Sequence, residues 1–269
     1  MRNAVEAILR KAGEEILRPA RLTIEKKEGH ANFVTDMDKR LEEELMTELG
    51  KLCPEASFVG EEKENEALTE KPTWVIDPID GTTNFIHGYC CSGISVALLI
   101  DCSPVLGCIY QPFLKDMFSA ERGKGAFLNG EPMHVSENSM EKALIGFGTS
   151  PYQPALGRPS LEAALVFLGR AADIRRSGSA AIDLAYVASG RQDVFFELNL
   201  KPWDVAAGSL MVQEAGGVFT MPLQKELNYD VSTTILASNA VCAEEAHELL
   251  IKALSEHGIT QQRIDELSK

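Results

Sequence analysis

The chain has 269 residues, of which 45% are hydrophobic and 25% are charged, a balance that is ordinary for a soluble globular protein with a sizeable core. Its formal net charge of −14 argues against nucleic acid or an anionic membrane as a default partner, because polyanion binding needs a cationic surface. An acidic protein with an anionic substrate needs local positive charge at its site, and a bound divalent cation can supply it.

The chain begins with two predicted helices, over roughly 2–18 and 38–50. Leu41, Leu45 and Leu49 lie at helical spacing in the second of them. Acidic residues interrupt the apolar face of the first, which therefore lacks the continuous apolar segment of a signal peptide or a membrane span. We expect a cytoplasmic protein that does not insert into a membrane.

The six cysteines include no CxxC pair, and adjacent Cys90 and Cys91 are poorly placed to bridge each other or to chelate one ion. In a chain of this length the pattern is typical of reduced, mostly buried thiols in the cytosol.

Strand-like runs and further helices follow in two styles. The first part is rich in strands, at 73–76, 93–100, 105–110, 116–120 and 126–128. The second part alternates helices near 158–171, 179–189, 204–215 and 241–255 with apolar runs at 194–196, 218–220 and 234–237. This pattern predicts an α+β or α/β protein, one catalytic unit over 1–269 with two stacked layers and a cleft between them. The subdomains are expected at about 1–145 and 146–269, with the junction in the Pro- and Gly-containing stretch 146–159.

The residues with chemical potential concentrate in the segment Trp-Val-Ile-Asp-Pro-Ile-Asp-Gly-Thr-Thr-Asn-Phe, residues 74–85. A short apolar strand is expected to end at Asp77, which places that carboxylate at the C-terminal edge where α/β active sites gather. Pro78 disfavours helix at Asp77 and predicts a turn. The turn can bring Asp77, Asp80 and the backbone carbonyl of Ile79 together.

A phosphate cradle is predicted directly after the two aspartates. Gly81 permits a close approach of the backbone, and Thr82-Thr83-Asn84 are typical of a helix start. Free N–H groups at a helix N-terminus bind phosphate oxygens well. Hard oxygen ligands beside such a cradle favour Mg²⁺, which prefers carboxylates, water and substrate phosphate to a closed protein cage.

Two more acidic signals can complete such a site. Glu61 and Glu62 follow the apolar run 57–59, and Asp204 lies in the first turn of an apolar helix. Taken alone, each of these acidic residues also fits a structural role without catalysis. Asp204 can cap its helix, and Glu61 and Glu62 can be a solvated pair. Asp77 and Asp80 can form a type I turn. Clustered carboxylates are electrostatically unfavourable without cations, so their co-occurrence predicts a binuclear metal site.

Three motifs together resemble the inositol monophosphatase family, part of the lithium-sensitive, Mg²⁺-dependent phosphatase superfamily. They are Gly60-Glu-Glu62, Asp77-Pro-Ile-Asp-Gly-Thr-Thr-Asn-Phe85 and Trp203-Asp-Val-Ala-Ala-Gly208. The resemblance runs from Asn32 to Asn239 in the family's order and spacing. It implies a layered αβαβα sandwich of the inositol monophosphatase or sugar phosphatase type, usually a homodimer.

The resemblance also implies a set of metal ligands. Glu61, Asp77 and the Ile79 carbonyl would hold a first Mg²⁺ on the side of the attacking water. Asp77, Asp80 and Asp204 would hold a second on the side of the leaving alcohol. Glu62 would support the catalytic group or hold a weaker third ion.

Other roles follow from the same resemblance. Thr82 and Asp38 would orient the water and help to deprotonate it. Asp36 competes for the role of Asp38, whose offset from Val34-Thr35 matches the family's better. The amides of Gly81 and Thr82 would hold phosphate oxygens.

The substrate end is predicted from a second group of residues. Glu197 corresponds to the family position that bonds polyol hydroxyls, together with Asp80, and Gly178-Ser179-Ala180 resembles the loop that lines the same pocket. An ordinary strand-end carboxylate is the alternative for Glu197. Arg175 and Arg176 could attract an anion or form structural salt bridges. The chain departs from the family pattern at Gly88-Tyr-Cys-Cys91 and at 221–230, which bears on substrate preference and dimer contacts.

The leading hypothesis is Mg²⁺-dependent hydrolysis of a small phosphorylated polyol, inositol-1-phosphate. Histidinol phosphate, fructose 1,6-bisphosphate and a nucleotide with a 3′-phosphate remain alternatives within the class. A non-catalytic metal-binding or interaction protein on the same fold is the alternative from a different class.

Overall fold

The computed structural model describes residues 1–18, 23–26, 33–63, 65 and 67–267. Asn32, where the family resemblance begins, lies outside the described residues.

The first half of the chain forms a seven-stranded sheet with two helices on one face. The helices are α1 (Arg2–Ile16) and α2 (Asp36–Leu52), and a small antiparallel pair, β1 (Ile24–Lys26) and β2 (Phe33–Thr35), lies between them in the chain. In spatial and chain order the sheet strands are β3 (Ser57–Gly60), β4 (Thr73–Asp80), β5 (Gly93–Ile100), β6 (Ser103–Gln111), β7 (Asp116–Glu121), β8 (Gly125–Leu128) and β9 (Glu131–Met133). The short helix α3 (Thr82–Ile86) follows β4 directly.

The second half forms a five-stranded mixed sheet. A 3₁₀ turn (Met140–Lys142) leads into β10 (Leu144–Phe147), and the later strands are β11 (Asp173–Arg175), β12 (Val194–Leu200), β13 (Val218–Thr220) and β14 (Thr233–Ser238), in the spatial order β11-β10-β12-β14-β13. The helices are α4 (Pro154–Leu168), α5 (Ala180–Ala188), α6 (Pro202–Glu214), α7 (Ala243–Glu256) and α8 (Gln261–Leu267).

Side chains alternate between the two faces of each sheet, and helices cover both faces, so the chain forms five layers. Trp74 and Ile76 of β4 pack with α1 and α2, whereas Val75 between them packs with α5 and α6. In β12, Phe195 faces that same central helix layer, whereas Phe196 packs with α4 and α7 on the outer side. Because successive side chains point to opposite faces, both sheets are buried on both sides. The arrangement confirms the predicted layered αβαβα sandwich.

The helix starts differ from the predicted ones for local reasons. Helix α2 begins at Asp36 rather than near 38, because Thr35 caps it and exchanges hydrogen bonds with Asp38. Helix α4 begins at Pro154 rather than near 158, since proline is preorganised for the first helical turn.

The short elements β1, β2, β9, β10, β11 and α8 have no counterpart among the predicted elements, because segments of three to seven residues carry little periodicity. Strand β10 begins at Leu144 and pairs with β11 and β12, so the second sheet starts just before the stretch 146–159. The division into subdomains stays a prediction.

All six thiols are free. Cys53, Cys108 and Cys242 are buried, whereas Cys90 and Cys102 are exposed, so the expectation of mostly buried thiols is met only for half of them. Within the described ranges, every helix is too short or too polar to cross a bilayer.

Candidate active site

A bulge in β4 places two aspartates on one side of the sheet. Asp77 pairs with Ser95 of β5 and Asp80 pairs with Gly93, so three steps along β4 match two steps along β5. In a regular strand, residues three apart point to opposite faces, and one extra residue restores the same face. The strand therefore does not end in a turn at Asp77, as predicted from Pro78, but continues through the bulge to Asp80.

Asp77, Asp80 and Asp204 form a compact carboxylate cluster. One oxygen from each lies within 4.8 Å of the other two. Asp204 comes from the first turn of α6, whose N-terminus points at the end of β4 from the central helix layer. The three are brought together as expected, although Asp204 is 124 residues from Asp80 in the chain.

The backbone holds each of these carboxylates in place. Asp77 Oδ1 accepts a hydrogen bond from the Ile79 N–H at 3.0 Å, and Asp204 Oδ2 accepts one from the Lys201 N–H at 2.7 Å. Asp80 Oδ2 accepts from the Ala181 N–H at 2.7 Å and from the Ser179 hydroxyl. Asp80 is thus anchored at the N-terminus of α5, where the helix dipole favours an anion.

The electrostatics of the cluster call for a cation. Burial raises the pKa of Asp77 well above its usual range, and the charges of Glu61, Asp80, Asp204 and Asp38 raise it further. Burial and then the charge of Asp80 likewise raise the pKa of Asp204 well above its usual range. Burial also raises the pKa of Asp80, although its hydrogen bonds to Ser179 and to the start of α5 oppose the shift. A divalent cation would relieve this repulsion, and an all-oxygen donor set suits Mg²⁺.

Thr82 and Asp38 meet beside the cluster. The Thr82 hydroxyl lies 3.1 Å from the Ile79 carbonyl oxygen and 3.4 Å from Asp38 Oδ1. Asp38 is fully buried, and its other oxygen accepts the Thr35 N–H at 2.8 Å. Asp36 is exposed and accepts the Thr23 N–H at 2.9 Å instead. Of the two competing aspartates, the structure places Asp38 at Thr82.

The predicted phosphate cradle lies where two loops touch. Gly81 has φ +86°, and a Cβ there would lie 3.1 Å from the carbonyl oxygens of both Cys91 and Gly178. Only glycine fits this left-handed, crowded position. Asn84 joins the same loops by donating from Nδ2 to the Cys91 oxygen at 2.6 Å and to the Ser177 oxygen at 3.0 Å.

Glu61 and Glu62 follow β3 at the same end of the sheet. Because β3 and β4 run parallel with Gly60 opposite Ile76, Glu61 follows at the level of Asp77, and its charge raises the pKa of Asp77. Glu62 is held through its backbone, whose N–H donates to Glu42 Oε2 at 2.9 Å. Both glutamates are partly buried, which is less exposure than the alternative of a solvated pair implies.

Glu197 lies inside β12 rather than at a strand end, because the strand continues through an irregularity to Leu200. Its carboxylate is 8% exposed, packs against Gly148 and accepts the Ser150 N–H at 3.1 Å. Burial raises the pKa of Glu197 to about 7, whereas the Ser150 N–H and the Arg176 cation lower it. The charge of Asp80 also reaches Glu197, so the predicted substrate end adjoins the cluster.

The loop Gly178-Ser179-Ala180 connects these two regions. Ser179 caps α5 and bonds Asp80, while Gly178 at φ +90° leaves room for Arg176. Arg176 reaches Thr149 Oγ1 at 3.3 Å and acts on Glu197, whereas Arg175 pairs with Asp173 on the surface. Of the two arginines, only Arg176 lies near Glu197.

Some site residues were missed from the sequence. Asp183 is buried with its pKa raised by burial to about 7, and it accepts from the Ser177 hydroxyl at 2.5 Å and from Gln192 Nε2 at 2.8 Å. Tyr152 is 44% exposed as a whole residue. Burial nevertheless makes the largest contribution to the raised pKa of its hydroxyl, and the charges of Glu61, Asp204, Asp80 and Asp77 raise it further. No pattern in the sequence marks either residue, because both are placed by packing between distant segments.

The comparison with known protein families decides the identity of this site. A model of the inositol monophosphatase family matches residues 1–258. The chain belongs to this family. Its members are phosphomonoesterases, so the chain is a phosphoric monoester hydrolase, as the motifs predict, and the family is metal-dependent.

Individual relatives match nearly the whole chain. Inositol monophosphatase 3 of Solanum lycopersicum is 38% identical over 264 residues, 94% of this chain and 95% of the relative. The solved Thermotoga maritima IMPase has a TM-score of 0.85 at 34% identity and covers 94% of this chain and 97% of its own. A putative Nus factor SuhB of Neisseria meningitidis serogroup B is 38% identical over 253 residues, 92% of this chain and 95% of the relative.

Proposed function

We propose that the chain hydrolyses inositol-1-phosphate to inositol and phosphate, using two Mg²⁺ ions, and a third if Glu62 takes part. The observation that carries the proposal is the cluster of Asp77, Asp80 and Asp204, with one oxygen of each within 4.8 Å of the others. The Thr82 hydroxyl and Asp38 lie at its edge, where an attacking water would need them.

The protein groups divide into two sets of ligands. Glu61, Asp77 and the Ile79 carbonyl would hold one ion, and Asp77, Asp80 and Asp204 the other. Bound Mg²⁺ would supply a lowered water pKa and charge neutralisation on the attacking and leaving oxygens. The bulge that aims Asp77 and Asp80 at one face supports the assignment of shared ligands.

Thr82 and Asp38 are suited to move the proton of the water. The Thr82 hydroxyl carries one proton and lies near two acceptors, the Ile79 carbonyl and Asp38. When that proton is directed to Asp38, a lone pair of Thr82 Oγ1 is available to accept from the water. Asp38 is held by Thr35 and is close to the positive end of α2, so its geometry is preorganised.

Gly81 and Thr82 are suited to hold the phosphate. Their backbone N–H groups lie at the start of α3, beside the aspartate cluster. The close packing of Gly81 against Cys91 and Gly178 fixes the direction of these groups.

Glu197 is suited to recognise the alcohol. It is a buried acceptor within electrostatic reach of Arg176 and Asp80, and a polyol offers several hydroxyl donors. Ser179 and the start of α5 hold Asp80, the other residue assigned to the alcohol. These two acceptors favour a polyhydroxylated leaving group, although histidinol phosphate, fructose 1,6-bisphosphate and 3′-phosphonucleotides are the competitors to be tested.

The alternative from a different class is a non-catalytic interaction protein on the same fold, and it is kept because two relatives named putative Nus factor SuhB also match nearly the whole chain. The complete carboxylate set argues for catalysis, since an interaction surface has no need to keep three repelling aspartates together. We also propose that the protein is a cytoplasmic, lithium-sensitive homodimer, as the family resemblance implies.

The test is a panel of phosphomonoesters assayed by phosphate release. Purified protein is compared with Mg²⁺ and with excess EDTA on inositol-1-phosphate, the three competitors and p-nitrophenyl phosphate. The proposal predicts the highest kcat/KM for inositol-1-phosphate and no turnover in EDTA. Undiminished turnover in EDTA contradicts the mechanism. A higher kcat/KM for one of the competitors shows that this ester, rather than inositol-1-phosphate, is the preferred substrate. No turnover with any ester favours the interaction role.

A further inference from the structure

Helix α2 presents two buried acids to the site, and only Asp38 has been given a role. Glu42 lies one turn further along the same face, because residues four apart in a helix stack above each other. It is 3% exposed, although glutamate is rarely buried without a specific partner.

The carboxylate of Glu42 supports the turn that carries Glu61 and Glu62. Glu42 Oε2 accepts the Glu62 backbone N–H at 2.9 Å. It also fills the space beside Gly60, where a Cβ would lie 2.5 Å from Oε2 and 2.8 Å from Oε1. No real Cβ approaches oxygen so closely, so Gly60 and the Glu42 carboxylate occupy complementary shapes.

The other side of the same turn is held by Asn65. Its Oδ1 accepts the Gly60 N–H at 2.8 Å, and its Nδ2 donates to the Gly60 carbonyl at 2.6 Å. The segment from Gly60 to Glu62 is therefore held from two directions, by its own loop and by α2. Of these, only α2 also carries a group that contacts Thr82.

We propose that Glu42 is a positioning residue that sets the metal affinity of the site by fixing the Glu61–Glu62 turn relative to Asp38. This inference rests on the proposed function, in which Glu61 is a metal ligand. Residues 38 and 42 lie about 6 Å apart along a rigid helix. The helix thereby fixes the distance between Asp38, which would act on the water, and the turn that carries Glu61, which would bind the first ion. Outer groups that orient metal ligands in this way are worth about 10–100-fold in metal affinity.

The test measures Mg²⁺ binding to metal-free protein by isothermal titration calorimetry, with phosphate release as a separate readout. Glu42→Ala removes the acceptor and should raise the Mg²⁺ Kd by about 10–100-fold. Glu42→Gln retains an acceptor oxygen for the Glu62 N–H and should lose less. At saturating Mg²⁺, KM for the ester should stay near the wild-type value, because Glu42 does not touch substrate. Glu43→Gln removes an exposed charge from the next position of α2 and is the matched control.

Gly60→Ala provides an independent route to the same contact, because its new Cβ must displace the Glu42 carboxylate. It should weaken Mg²⁺ binding, and the Gly60→Ala/Glu42→Ala double variant should bind no more weakly than the worse single one. Additive losses would overturn the proposal. So would wild-type Mg²⁺ affinity in Glu42→Gln and Glu42→Ala, including the case in which only their melting temperature falls, since Glu42 would then serve packing alone.

The wild-type protein separates this inference from the proposed function. If it binds Mg²⁺ but releases phosphate from no ester, the proposed function fails while the affinity changes still test Glu42. If it binds and hydrolyses normally while the Glu42 variants bind like the wild type, the positioning role fails alone.

Discussion

Glu197→Gln should change how the stability of the metal-free protein depends on pH. The Glu197 carboxylate is 8% exposed, and burial raises its pKa from 4.5 to about 7. Glutamine has nearly the same shape and retains an oxygen that can accept the Ser150 N–H, so the substitution removes the ionisation while preserving the hydrogen bond.

The direction follows from proton binding by the two states. Below pH 4.5, Glu197 is protonated in both the folded and the unfolded chain and contributes nothing. Between pH 4.5 and 7 the unfolded chain releases this proton while the folded one retains it, so the free energy of unfolding falls as pH rises. Above pH 7 the full penalty is present. At about 1.4 kcal/mol per pKa unit, the penalty grows by about 2–3 kcal/mol between pH 5 and pH 8.

Urea unfolding in EDTA at several pH values measures this effect. The difference in free energy of unfolding, Glu197→Gln minus wild type, should rise by about 2–3 kcal/mol from pH 5 to pH 8. The aspartates of the cluster titrate in both proteins, so the difference isolates Glu197. Glu131→Gln removes a charge from an exposed strand position and supplies the baseline for net charge. A difference that stays level across this pH range, or falls, would refute the account of a buried, perturbed carboxyl.

Three further predictions concern activity. Thr82→Ala should lower kcat by about 10²–10⁴-fold for every phosphomonoester. Glu197→Gln should lower kcat/KM for inositol-1-phosphate but not for p-nitrophenyl phosphate, which has no hydroxyls to bond. The opposite pattern would show that the two roles are reversed. Asp77→Asn retains an oxygen for the Ile79 N–H but loses a shared ligand, so turnover at saturating Mg²⁺ should fall by orders of magnitude; near-normal turnover would remove Asp77 from both ion sites. Lithium should inhibit uncompetitively with respect to substrate in initial-rate assays, and purely competitive inhibition would count against a lithium-sensitive member.

The sequence by itself indicated the candidate chemistry that lies within one short segment. Asp77, Ile79, Asp80, Gly81 and Thr82 are neighbours in the chain, so their joint pattern of carboxylates, glycine and hydroxyl was readable before any contact was known. The order of helices and strands was also sufficient to predict two stacked layers, and the family resemblance implied the αβαβα sandwich.

Only the tertiary structure decided how parts of the chain that are distant in sequence are arranged around residues 77–82. The predicted turn at Pro78 is a bulge because β5 pairs on both sides of it, and strand pairing is a non-local property. The choice of Asp38 over Asp36 depends on which side of α2 faces Thr82.

Glu42, Glu43 and Glu44 illustrate the same physical reason most simply. All three are glutamates, yet of the three only Glu42 lies on the buried face of α2 with Leu41, Leu45 and Leu49. Periodicity can mark that face, but what Glu42 meets there depends on the chain that folds back at Gly60 and Glu62, eighteen and twenty residues later. Local propensity acts within a few residues, whereas burial and electrostatic coupling act between whichever segments the packing brings together.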